Sequence, residues 1–147
     1  RLEAAVAQAE AILYLGDNTG EIVFDKLLLA QLPADRVTYA VKGQPIINDA
    51  TMEDARAVGV TEMVEVVDNG SDAPGTILDL CSEDFRARFE RADLIIAKGQ
   101  ANYETLSHVA RGGLFFLLKV KCPVIARDLG CEIGSIVVKE NRRETEP

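Results

Sequence analysis

Short, uninterrupted apolar runs recur along this chain, and between them apolar residues return at helical spacing. AILYL at Ala11–Leu15, VTYAV at Val37–Val41, Met63–Val67, LIIA at Leu94–Ala97 and LFFLLKV at Leu114–Val120 are such runs. A strand that is apolar on both faces must be covered on both faces, as in a parallel sheet flanked by helices. The intervening stretches supply the helices. Leu2–Glu10 is Ala-rich, Glu21–Leu32 carries a broad stripe of Ile22, Phe24, Leu28, Leu29 and Leu32, and Met52–Val58 follows the second strand. Leu78–Arg91, with a break near Ser82, and Asn102–Val109 complete the long helices. Pro123 can open a short helix at its first turn, and Ile136–Val138 forms a sixth strand. The alternation predicts an α/β fold, a three-layer α/β/α sandwich with a mostly parallel, doubly wound, Rossmann-like sheet.

The 147 residues, 48% of them apolar, suit one folded domain. That domain is expected over residues 1–139, with the charged stretch 140–147 as a frayed tail. The chain opens at Arg1 with no methionine, so an upstream part of a longer protein is expected. No apolar run approaches the ~20 residues a membrane helix needs, and no signal-peptide pattern follows Arg1. Twenty-four acidic against 16 basic residues leave a net charge of −8, which argues against nucleic acid as a partner, because phosphate backbones are held by clustered Lys and Arg. An anionic substrate would need a local source of positive charge. Cys81, Cys122 and Cys131 form no CxxC pair and His108 is the single histidine, which argues against a thiolate or imidazole zinc site. An odd cysteine count without a secretory signal points to a reducing, cytoplasmic setting.

Polar and glycine-rich clusters sit directly after the strands. Gly16-Asp17-Asn18-Thr19-Gly20-Glu21 follows the first, Lys42 to Thr51 the second, Asp68 to Thr76 the third, and Lys98 to Glu104 the fourth. In a parallel sheet all these loops converge on the carboxyl edge, where ligands bind. Asp17 and Asp49 supply carboxylates and Asn18 an amide oxygen, an oxygen-only set that suits a hard divalent cation. Each also has a plainer role: Asp-Asn after a strand turns a chain, and Asn48 or Asp49 can cap the helix that begins near Thr51. Lys98 ends an apolar strand at the same edge, where its ammonium can hold a phosphate oxygen or simply meet solvent. Gly75-Thr76 and Gly99-Gln100 are read as helix starts whose amides favour anions. Lys42, Asp68, Asn69 and Asn102 are further candidates by position. Lys119 and Lys121 are read as exposed charges flanking the fifth strand, His108 as a structural residue on a helix face, and Cys122 as a small buried side chain.

There is no GxxxxGK[ST] and no GxGxxG, so neither a P-loop nor the usual backbone cradle of a dinucleotide or methyl-donor cofactor is present. Asp17 is followed by Asn18 and Thr19, not by the second aspartate of a DxD phosphatase motif.

Five co-linear stretches carry a more specific likeness. Leu15–Glu21 with Phe24-Asp25, Val41–Thr51, Asp68–Thr76, Ala92–Thr105 and Phe115–Cys122 resemble the damage-control phosphatases, metal-dependent enzymes first described as a domain of unknown function. The likeness spans nearly the whole chain and is greatest to the stand-alone prokaryotic branch. It implies a divalent ion (Mg²⁺, Mn²⁺, Co²⁺ or Ni²⁺) on Asp17, Asn18 and Asp49. It also implies a phosphate contact from Lys98, and a substrate-side loop containing Gly99 and Asn102, with Asn48, Asp68 and Asn69 nearby. Ala101 stands where the family commonly has glycine. Family members carry a helical domain ahead of this one, and its contacts would be missing from the present chain, so its activity alone is an open expectation.

The resulting expectation is hydrolysis of phosphate monoesters of small metabolites, sugar phosphates or damaged relatives. Asp17 serves as the acid–base group or, alternatively, as the nucleophile of an aspartyl-phosphate route, and Lys98 offsets phosphate charge. A non-catalytic metal–phosphate or nucleotide binder is the rival from another class, and a methyltransferase the more distant one.

Overall fold

In the computed structural model, which describes residues 1–142, six strands form one sheet in the order β3-β2-β1-β4-β5-β6. The strands are β1 (Ile12–Leu15), β2 (Val37–Val41), β3 (Glu65–Asp68), β4 (Leu94–Lys98), β5 (Leu114–Lys119) and β6 (Ile136–Glu140). The first five run parallel and β6 pairs antiparallel with β5. Helices α1 (Leu2–Gln8), α2 (Ile22–Leu29), α3 (Met52–Ala57), α4 (Glu83–Arg91), α5 (Gln100–Leu106) and α6 (Pro123–Leu129) cover it.

Period-two alternation in the central strands divides the core into two faces. On β1, Ile12 and Tyr14 join one buried cluster with Ile22 and Leu29 of α2 and Ala55 of α3; Leu13 and Leu15 join the other with Phe85 and Phe89 of α4 and Leu106 of α5. Both faces being covered explains the continuous apolar runs, and the three-layer α/β/α architecture is as the sequence predicts. Among the described residues no helix is long and apolar enough to cross a membrane, and Cys81, Cys122 and Cys131 are free thiols.

Some boundaries differ for local reasons. Helix α4 starts behind Ser82, whose hydroxyl accepts from the Phe85 amide at 3.1 Å, after a single 3₁₀ turn at Leu78–Leu80. Gly75-Thr76 therefore lies in a loop and opens no helix, which corrects the anion-binding terminus expected there. Helix α5 begins two residues early, because Gly99 at φ 84° turns the chain straight into it. The fold also runs past the expected limit at residue 139. Strand pairing extends through Glu140, and Asn141 is buried, its amide donating to Leu114 O at 2.7 Å and its side chain to Val109 O at 2.8 Å. Backbone pairing needs no apolar side chains, so charge alone misplaces this boundary. The rest of the expected tail, from 143 onward, lies outside the described residues.

The chain builds β1, β2 and β3 outward in one direction, then crosses back to place β4 beside β1. The loops after β1 and β4 leave in opposite directions there, which opens the crevice where doubly wound sheets bind ligands. Gly16-Asp17 and Lys98-Gly99 stand on its two sides.

Candidate active site

The loops after β1 and β2 are laced together. The Thr19 amide donates to Asn48 O at 2.7 Å and the Ala50 amide to Asp17 O at 2.8 Å, and Asn18 and Asp49 form an isolated β-bridge. Asp17, Asn18 and Asp49 are thereby brought together from positions some thirty residues apart. Thr51, not Asn48 or Asp49, caps α3: it forms a capping box with Asp54, the Thr51 amide donating to Asp54 Oδ2 at 2.8 Å. Asp49 is released from the capping role the sequence allowed it. Asn18 does turn the chain, its Oδ1 accepting from the Gly20 amide at 2.8 Å, which leaves that oxygen a second lone pair.

Asp17 lies against the β4–α5 loop. A Cβ on Gly99 would sit 2.0 Å from Asp17 Oδ2, and Gly99 also has φ 84°. Only glycine leaves that carboxylate room. Burial, and then the neighbouring Asp49 and Glu21 charges, push the Asp17 carboxyl up to about 6. Burial likewise raises Asp49 against the pull of Lys42. Lys42 is 5% exposed; its Nζ lies 3.9 Å from Asp49 Oδ2 and donates to Gly75 O. Burial lowers Lys42, and Asp49 is the chief influence opposing that.

Lys98 closes the other side. Its ammonium pairs with Glu21 and, at 2.9 Å, with Asp25 Oδ1. Burial alone would lower Lys98, but Asp25 and Glu21 outweigh it and hold the ammonium above its usual range. Two of its three donors are used, which leaves one for a ligand. Asp17, Glu21, Asp25 and Asp49 thus set four carboxylates against the two partly or fully buried lysines, Lys42 and Lys98. Among the described residues no group of three or more His, Cys, Asp or Glu is placed to hold a metal ion. The candidate set is instead two carboxylates and an amide oxygen, with the Asp17 carboxylate seated in the room that Gly99 leaves, and this donor chemistry fits a hard divalent cation.

Other candidates have different placements. Asn102 is 2% exposed and engaged at both ends of its amide: its Nδ2 donates to Lys98 O at 2.8 Å and its Oδ1 accepts from Thr76 Oγ1 at 2.7 Å. Asn69 is buried, its Oδ1 accepting from the amides of Gly43 (3.2 Å) and Ser71 (2.9 Å). Both amides tie loops together. Asp68 is exposed at the end of edge strand β3, two strands from β1, and accepts from the Gly70 amide. Asn48 is exposed, and its carbonyl accepts from the Thr19 amide. The amide of Gly99 is spent on Leu117 O at 3.0 Å. His108 is exposed in the turn after α5, not on a helix. A broad groove lies elsewhere, among Tyr103, His108, Asp128 and Lys139, and none of Asp17, Asn18, Asp49 or Lys98 lines it. Converging titratable groups, not concavity, locate this site.

The model of the damage-control phosphatase ARMT1-like domain matches residues 1–137. The chain belongs to this family. Damage-control phosphatases of Pyrococcus horikoshii and Archaeoglobus fulgidus are 44% and 45% identical over 140 and 131 residues, 93% and 87% of this chain. An uncharacterized protein of Methanocaldococcus jannaschii is 44% identical over 132 residues. The crystal structure of a DUF89 family protein from Pyrococcus horikoshii matches with a TM-score of 0.91 at 43% identity, covering 96% of this chain and 50% of the other. The chain spans 43–49% of the length of these curated relatives.

Within this damage-control phosphatase domain, sequence reasoning passed over Glu21 and Asp25 as site residues, although both fall within the stretches that carry the resemblance. Their i,i+4 spacing at the start of the helix after the first loop is the available signal. Tyr14 and Tyr39 were hidden inside apolar strands. Lys121, expected merely to flank β5, is exposed, yet its charge reaches Asp17 and lowers that carboxyl; its amide is held by Gln100 Oε1 at 2.9 Å.

Proposed function

We propose that this chain is the metal- and phosphate-handling domain of a divalent-metal-dependent phosphatase that hydrolyses phosphate monoesters of small metabolites, sugar phosphates or damaged phosphometabolites. The observation that carries the reading is the pairing of the Asp17-Asn18 and Asp49 loops at the switch point, where their two carboxylates and one amide oxygen come together. Membership of a phosphatase family supports the reaction class.

Asp17, Asn18 and Asp49 would hold the ion, of the Mg²⁺, Mn²⁺, Co²⁺ or Ni²⁺ class. When bound, such an ion supplies Lewis-acid stabilisation of charge on a phosphoryl oxygen. Asp17 takes and returns a proton at its carboxylate as the acid–base group. Lys98 directs its remaining N–H toward the phosphate, anchored from behind by Asp25 and Glu21. Asn102 fixes the Lys98 carbonyl and so the loop that presents Gly99 to Asp17.

Release of phosphate from an aryl phosphate tests the proposal, run with each of the four metals and with chelator. Phosphate release is expected only with metal, and Asp17→Ala is expected to abolish it. Full activity in Asp17→Ala, or undiminished activity in chelator, refutes the assignment.

A further inference from the structure

Tyr14 and Tyr39 stand in register on β1 and β2, wholly buried, their rings stacked at 5.1 Å. Their hydroxyls donate to the two different oxygens of Asp25, each at 2.7 Å. Asp25 is itself 2% exposed, and its Oδ1 also accepts from Lys98 Nζ at 2.9 Å. Burial, followed by the Asp25 charge, pushes both phenols far above their usual range, so they remain donors at any physiological pH.

Packing does not require this arrangement. Two phenylalanines and an apolar residue at position 25 would fill the same space without desolvating a carboxylate, and such replacements of buried ion pairs are commonly neutral or stabilising. What the arrangement supplies is direction. Held at both oxygens from the sheet, Asp25 cannot swing, and the lysine it binds is anchored at a set point on the carboxyl edge. Glu21, the other partner of Lys98, has a side chain one-third exposed and has no comparable clamp.

We propose that Asp25, clamped by the hydroxyls of Tyr14 and Tyr39, is a positioning residue that aims the Lys98 ammonium at the phosphoryl group. The ligand in this statement rests on the phosphatase reading; the aiming is a property of the chain that can be measured without it.

The test uses the whole chain with Mn²⁺ and two variants, Asp25→Asn and Tyr39→Phe. Acylation of each lysine by a small amine-reactive ester, followed by peptide mass spectrometry, reports how tightly Lys98 is held. Buried Lys42 serves as the internal gauge of folding. Loss of a charge-assisted hydrogen bond should raise Lys98 labelling about tenfold in Asp25→Asn and roughly threefold in Tyr39→Phe, with Lys42 unchanged. In parallel, kcat for aryl phosphate should fall about tenfold in Asp25→Asn with KM nearly constant, because the aimed contact acts in the transition state. Should Asp25→Asn fail to fold, Tyr39→Phe removes one hydroxyl and carries the same comparison. Unchanged Lys98 labelling in a folded variant overturns the clamp, as does unchanged kcat in variants of an active wild type. A wild type that shows the labelling pattern but releases no phosphate refutes the catalytic reading and leaves the clamp standing.

Discussion

Asp17 occupies a position that costs the free protein stability. Its carboxyl is raised from 3.8 to about 6 in the fold by burial and by Asp49 and Glu21. A raised carboxyl binds its proton more tightly folded than unfolded, so stability falls as pH rises between those values and the full penalty holds above them. The shift corresponds to at most about 3 kcal/mol. In chelator, Asp17→Asn should therefore melt higher than wild type at pH 7, and that advantage should shrink as pH falls from 7 to 4. Scanning fluorimetry across pH measures both, and an Asp17→Asn variant less stable than wild type at pH 7 would contradict the charge-crowding account. The same substitution should remove stabilisation by metal.

At the scale of elements, the site depends on loops tied to one another more than on the strands they follow. Asn102 is the clearest case: a buried amide on α5 joins the end of β4 to Thr76 in the loop after β3. Asn102→Ala leaves the Thr76 hydroxyl and the Lys98 carbonyl without these partners, at a cost of about 1–3 kcal/mol. Urea denaturation should show that loss, and metal affinity should weaken with it because the loop that makes room for the Asp17 carboxylate loses its tie. Gly75 belongs to the same junction, for a Cβ there would lie 2.4 Å from Ala101 O. These ties explain what pattern reading made of the loops. Asn69 and Asn102 stood at the right edge and had the right chemistry for a ligand, yet both spend their amides internally. Glu21 and Asp25 were read as part of a helix, although Lys98 meets them across the crevice. Spacing along the chain shows which edge a residue reaches; it does not show which neighbour takes its hydrogen bonds.

For the whole molecule, a body of net charge −8 gathers carboxylates at one crevice and offsets them only in part with Lys42 and Lys98. Phosphate should therefore bind when a divalent ion is present and not otherwise. Titration calorimetry of inorganic phosphate into the chain, with Mn²⁺ and with chelator, measures this, and equal binding in both would overturn it. Mn²⁺ alone should raise the melting temperature, because a ligand at one hundred times its Kd stabilises by about 2.7 kcal/mol.

The sequence by itself determined the layers, the parallel sheet and the edge that carries the site, because covered strands and post-strand loops leave local, periodic signatures. It also brought Asp17, Asn18 and Asp49 forward as one group. Only the tertiary structure decided which polar residues are spent on holding loops, and that Lys98 lies between Glu21 and Asp25 with two tyrosines behind Asp25. Those relations join β1, β2, α2 and β4 across tens of residues, and burial and hydrogen-bond partnership become defined when the sheet order brings those elements side by side.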